Sequence, residues 1–241
     1  MSGKLTKLPA FYCEDRLLAG AKDFARRLKN AIYEYEIQEV RGRVIHPDER
    51  FPSAGGSVAD LKTQCTVVDS AEELYRYANE FRSPFRDSLD ALGKRLDEGC
   101  TLFLARRVNA GDGGDEVVGY SIGEIGGFSA AGIKKKISKD ILFVHYTEVA
   151  NKYRGQRIAQ VLTSARNEYC HRCGIRKSCT AHTTGNLPSE RAFRKFGSRV
   201  LCCAVRISLF KGLVVWHTPW RKIERALAEL DDDLAEVSDK V

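Results

Sequence analysis

Between residues 154 and 159 the chain reads Arg-Gly-Gln-Arg-Ile-Ala, with small residues at Gly155 and Ala159 and cations at Arg154 and Arg157. If this stretch opens a helix, the free backbone N–H groups of the first turn face outward and suit an anion such as a phosphate. An ordinary strand-to-helix turn has the same composition, so the six residues alone leave both readings open. A second constellation suggests metal ligation: Cys170-His-Arg-Cys173, followed by Cys179 and His182, superficially has zinc spacing. Geometry argues against it. Cys170 and Cys173 fall late in a helix, whereas Cys179 and His182 stand at odd separation on a strand and point to opposite faces. Cys202 and Cys203 diverge for the same reason, so no metal is expected and the thiols read as small buried or surface groups.

The elements that position these residues follow from periodicity. The apolar run Ile141-Leu-Phe-Val-His-Tyr-Thr-Glu-Val149 leads into the turn. A helical pattern over 155–173 leaves it, with Ile158, Leu162, Ala165 and Tyr169 on one stripe. The run is apolar on both faces except at His145, Tyr146, Thr147 and Glu148, as for a central strand covered by helices on each side. Alternation puts positions 143, 145, 147 and 149 on one face, where His145 is the titratable side chain, and Glu148 on the other.

Upstream, residues 65–68 read as a strand, and Asp69 or Ser70 caps a helix carrying Leu74, Tyr75, Ala78 and Phe81. Ser83-Pro84 starts a second helix through Phe85, Leu89, Leu92 and Leu96, which stops at Gly99. Strands over 101–108 and 116–125 make a hairpin about the glycine-rich turn 109–115, and 126–139 is a polar loop containing Lys134-Lys-Lys136. Downstream come a strand over 176–183, a helix opened by Asn186, and strands 199–210 and 213–218 about Lys211-Gly212. A helix over 221–235 carries Ile223, Leu227, Leu230 and Leu234 and ends in an acidic tail. Residues 1–60 form an extension. Leu17, Ala21, Phe24, Leu28 and Ile32 share a helix face, 36–45 alternates weakly around Arg41-Gly42 as a short hairpin, and 47–56 is a loop.

The 241 residues, 43% hydrophobic and 29% charged, describe a globular chain with room for one well-buried core and an extension. No run approaches a membrane span and the first residues lack the apolar core of a signal peptide, so a cytoplasmic location is expected. The net charge of +7 suits an acidic partner, such as a phosphorylated cofactor or an anionic surface. No nucleic-acid module is recognisable, and nucleic acid is not expected as a partner.

The stretch from Val149 to Gly197 resembles the two central motifs of the GNAT superfamily of acyl-CoA N-acyltransferases. Tyr153-Arg154-Gly155 stands where that family has the same three residues. Arg154 fills the first and Ala159 the last position of the family pattern Arg/Gln-x-x-Gly-x-Gly/Ala, while Arg157 replaces its first glycine. The later motif, an Asn followed seven residues on by Tyr and eleven on by Gly, matches at Asn186 and Gly197, with Phe193 at the tyrosine position. The resemblance implies an α/β (α+β) fold with a mixed, mostly antiparallel central sheet flanked by helices. In its terms 1–60 is an N-terminal helical extension, 61–218 the N-acetyltransferase domain, and 219–241 a C-terminal helix and acidic tail.

The resemblance further implies transfer of an acetyl group from acetyl-CoA to a primary amine by direct attack, without a metal. On this reading the stretch Arg154, Gly155, Gln156, Arg157, Ile158 and Ala159 holds the pyrophosphate. The Val149 N–H holds the thioester oxygen, Asn186 contacts or orders the pantetheine arm, and Phe193 packs against it. An alkylammonium of pKa ~10.4 is neutral in only about one molecule in 10³ at physiological pH, so a base helps. Family members often draw it from the central strand, which makes His145 the first candidate and Glu148 the reserve; a core histidine without a role is the competing reading. Phe193 cannot donate a proton, so water or another hydroxyl must protonate the thiolate. The acceptor is a small-molecule or protein amine. The alternatives are longer-chain transfer from acyl-CoA or acyl carrier protein, supported by the basic surface and the 216–220 region, and a non-catalytic acyl-CoA-binding module, supported by Arg157 and Phe193. Residues 210–222 interleave aromatics and cations, and hairpin core is preferred there over membrane contact. The extension is expected to brace the main domain, with a homodimer contact or an acceptor-side wall as alternatives.

Overall fold

The computed structural model describes residues 33–45, 63–108, 114–209 and 213–238. The chain runs β1 (Tyr33–Val44), β2 (Thr63–Val68), α1 (Ala71–Tyr75), a 3₁₀ turn (Ala78–Glu80), α2 (Leu89–Asp97), β3 (Cys100–Arg107) and β4 (Glu116–Ile125). It continues through β5 (Gly127–Ala130), β6 (Ile133–Lys136), β7 (Ile141–Val149), a 3₁₀ turn (Asn151–Tyr153) and α3 (Ile158–Arg172). The last elements are β8 (Lys177–Thr183), α4 (Leu187–Lys195), β9 (Arg199–Leu209), β10 (Leu213–His217) and α5 (Trp220–Ser238). Eight strands form one sheet in the order β10-β9-β1-β8-β7-β4-β3-β2. Its pairs are antiparallel except β7–β8, which is parallel.

Alternation along each strand divides the core into two layers. On β3, Leu102 and Leu104 pack with Leu74, Leu92 and Leu96 of α1 and α2, while Phe103 and Ala105 face Ile158 and Leu162 of α3. Farther along the sheet, on the α1–α2 side, Ile223 and Leu227 of α5 join Phe143, Cys179 and Phe128. Each large apolar side chain so buried contributes about 1.5–3 kcal/mol, and the two layers together clamp the sheet. Ser70 caps α1 by accepting from the Glu73 N–H. No described helix is long and apolar enough to cross a membrane.

Four local expectations are corrected. The segment 36–45 is no hairpin but lies within β1, which runs unbroken between β8 and β9. Gly42 serves packing rather than a turn there, because a Cβ would stand 2.6 Å from Leu201 and 2.9 Å from Leu230. A break at residue 60 therefore does not separate β1 from the sheet. The second upstream helix starts at Leu89, where the Ser88 hydroxyl accepts from the Ala91 N–H, rather than at Ser83-Pro84. The polar loop 126–139 contains the β5–β6 hairpin, whose turn residues Ala131 and Gly132 both have positive φ, the geometry of a primed turn. Finally, every residue of β10 is exposed, so 213–217 is not hairpin core. The helix expected through Leu17 and Ile32, the loop 47–56 and the Lys211-Gly212 turn lie outside the described residues.

Candidate functional site

The site begins with a missing set of hydrogen bonds. β7 and β8 pair only from Ile141–Lys177 to Val144–Thr180. Beyond Val144, β7 pairs with β4 alone and β8 with β1 alone, so a gap opens between the two strands. The cause lies at His145. The β4 register passes from Ile122–Tyr146 to Gly123–Val144 and leaves His145 as an extra residue, and such a bulge bends its strand.

The bulge also resets which side chains share a face. Leu142 and Val144 pack with Cys170 on the α3 side. Past the bulge, Thr147 accepts from Arg166 at 2.8 Å and Val149 packs with Ile158, again on the α3 side. His145 stays opposite, 5.2 Å from the Phe143 ring, as do Tyr146, 5.9 Å from the Tyr120 ring, and Glu148. The expectation that His145 shares a face with Thr147 and Val149, with Glu148 opposite, is thus overturned: His145 and Glu148 face the same side. Glu148 is committed to structure, accepting from the Tyr120 hydroxyl at 2.8 Å and the Arg86 N–H at 3.0 Å.

On the α3 side of the gap the backbone offers donors. The Ala150 N–H bonds Val118 on β4, so the Val149 N–H one residue earlier points the other way, into the gap. Arg154 donates to the Val149 carbonyl at 3.4 Å. The turn that follows holds Gly155 at φ 80 and Arg157 at φ 63, and the first-turn amides of α3, including Ile158 and Ala159, have no helical carbonyl before them. The Arg157 side chain is exposed, and its departure from glycine places a non-glycine residue in the left-handed region at the cost of backbone strain. Gln156 bonds back to the Lys152 carbonyl.

The second motif frames the opposite lip. Asn186 caps α4 by accepting from the Ser189 N–H at 3.4 Å, and Gly197, at φ 70, lets the Ser198 N–H close back on the Phe193 carbonyl. The Phe193 ring lies 5.4 Å from that of His182 on β8. His182 is buried, its Nδ1 lacks a partner, and burial lowers its pKa. Sequence reasoning met His182 only within the zinc pattern, and the structure does not bring that set together: among the described residues, the metal-competent group is a different one.

That group lies across the gap. A cavity of about 550 Å³ opens on the α1–α2 side, with His145 and Tyr146 of β7 and Ala181 of β8 in its wall. There Cys100 Sγ is 3.8 Å and a Glu124 oxygen 3.6 Å from His145 Nε2, donor types and spacing that resemble a three-ligand zinc site. The Lys136 ammonium 2.6 Å from Glu124 opposes a second cation, and burial pushes the Cys100 thiol up to about 11, away from the thiolate. Burial, then the charge of Arg95, lowers the His145 pKa, against the pull of Glu124. The ring is therefore neutral at physiological pH and able to accept a proton. Sequence reasoning missed Cys100 and Glu124, whose strands reach His145 only through the sheet order.

Two ligands can reach one gap from opposite faces of this sheet, one past a helix N-terminus and one through a cavity, which is the layout of a group-transfer enzyme. A family model described as "Acetyltransferase (GNAT) family" matches residues 65–198, more than half the chain, and the chain belongs to that family and is an acyltransferase. Among solved structures it is similar to AAC(6')-Iy in complex with a bisubstrate analog, at 16% identity over 56% of this chain and 89% of that one, TM-score 0.39. It is also similar to a tandem GNAT protein from the clavulanic acid biosynthesis pathway, at 15% identity over 79% and 58%, TM-score 0.48. A GCN5-related N-acetyltransferase from Sphaerobacter thermophilus aligns at 15% identity over 78% and 56%, TM-score 0.45. No curated protein sequence matches the chain.

Proposed function

We propose that the protein moves an acetyl group from acetyl-CoA to a primary amine by direct attack. The observation that carries this reading is the gap between β7 and β8, flanked by the Val149 N–H and the α3 N-terminus on one face and by His145 in a cavity on the other. The turn fits a pyrophosphate, since Gly155 and Arg157 present amides and Arg154 and Arg157 add positive charge. Val149 donates to the thioester oxygen as negative charge develops there. His145, directly or through one water, accepts the proton of the attacking amine. As the C–S bond breaks the thiolate takes a proton from water, since Phe193 has none to give and burial keeps the neighbouring His182 ring neutral. Asn186 orders the lip by capping α4, and Glu148 fixes the Arg86 backbone.

The test has two arms. Calorimetry of acetyl-CoA against wild type and Gly155→Asp should show binding only in the former, and equal binding by both rejects the turn. An amine screen read by mass spectrometry, run also with longer acyl-CoAs, should reveal transfer. His145→Ala should then lower kcat/KM by about 10² to 10⁴-fold with coenzyme A affinity nearly constant. Wild-type kcat/KM at every pH would remove His145 from the reaction.

A further inference from the structure

We propose that the acceptor carries an anionic group, a carboxylate or phosphate, a few bonds from its amine, and that Arg86 and Arg95, gathered at the Tyr146 ring, receive it. This rests on the amine-acylating reading above and names its substrate class. Five cations line the cavity against three carboxylates. Glu124 is already held by Lys136, while Arg86, Arg95, Lys134 and Lys135 have no ion-pair partner among the described residues. The two guanidinium groups converge on one ring, with Arg86 Cζ 5.9 Å and Arg95 Cζ 5.6 Å from the Tyr146 centroid. The ring of Tyr146 lies in the cavity wall, while its hydroxyl is buried away from the cavity.

Charge decides what this wall accepts. An acceptor bearing only an ammonium would enter a cavity of its own sign, whereas one that also bears an anion satisfies the guanidinium groups. The bulge sets the spacing. Because it places the consecutive residues His145 and Tyr146 on the same cavity wall, the amine beside His145 and the anion beside Tyr146 are separated by a short spacer.

The experiment compares matched pairs under saturating acetyl-CoA, ethanolamine with O-phosphoethanolamine and propylamine with β-alanine, with product read by mass spectrometry. The anionic member of at least one pair should be preferred in kcat/KM by roughly ten- to a hundredfold, the size of a charge-assisted hydrogen bond, and the two pairs distinguish phosphate from carboxylate. In Arg86→Gln/Arg95→Gln that ratio should fall toward one. Equal use of both members by wild type, or a ratio untouched in the double variant, overturns the proposal. If no amine is acylated, calorimetry of the coenzyme A-saturated protein decides. Tighter binding of O-phosphoethanolamine or β-alanine than of its neutral partner, lost in the double variant, upholds the subsite while the transferase reading falls. No difference in binding overturns the subsite as well.

Discussion

At His145 one unpaired residue does three things: it ends the β7–β8 pairing, keeps the ring on the cavity side, and sets Tyr146 beside it. The protonation of that ring is governed first by burial and next by Arg95, with Glu124 opposing and Lys134 adding to Arg95. A neighbouring cation disfavours the imidazolium, so Arg95→Gln should raise the His145 pKa toward the ordinary 6.5. The acidic limb of the kcat/KM profile should therefore lie below pH 6.5 in wild type and move upward in the variant. A limb at the same pH in both proteins would mean that another group carries the proton.

The turn before α3 shows what an element pays for one side chain. Arg157 sits in the left-handed region at φ 63, where the family pattern has glycine, and the conformation costs a non-glycine residue about 1–2 kcal/mol. Arg157→Gly should thus stabilise the fold by about 1 kcal/mol once glycine's greater unfolded freedom is counted, as read by urea denaturation. The same change removes a cation from the anion-facing turn, so coenzyme A should bind more weakly at low salt. The elements around this turn were legible in sequence. β7 and α3 announce themselves by an apolar run and a helical stripe, and Asn186 by its capping position. The bulge was not, because register belongs to the partner strand: nothing in residues 141–149 alone says that Gly123 will pair with Val144 and Ile122 with Tyr146. The β5–β6 hairpin hid behind Lys134-Lys-Lys136, whose charges mask a short strand. Arg86 and Arg95 gave no signal, since their meeting at Tyr146 depends on how α2 and the stretch before it pack on the sheet.

Across the whole molecule, burial of histidines ties stability to pH. His145 and His182 both have folded pKa values below the ordinary 6.5, in each case chiefly through burial. The unfolded chain takes up these protons first as pH falls below 6.5, so stability is full above that value and is lost as pH drops through the folded values. Tm should fall between pH 8 and pH 5.5, and His182→Gln should reduce that fall; an unchanged slope would show that His182 titrates alike in both states. The fold class was legible at this scale from the order of elements, but the place of β1 was not, because a strand that pairs with distant segments leaves only a weak alternation in its own residues. That placement has a consequence for how the protein is made. Tyr33–Val44 is zipped on both edges by β8 and β9, which leave the ribosome well over a hundred residues later, on the order of ten seconds at ordinary translation rates. During that interval both edges of the nascent strand lack their partners, and the β9-β1-β8 part of the sheet cannot form until Thr183 and Leu209 have emerged.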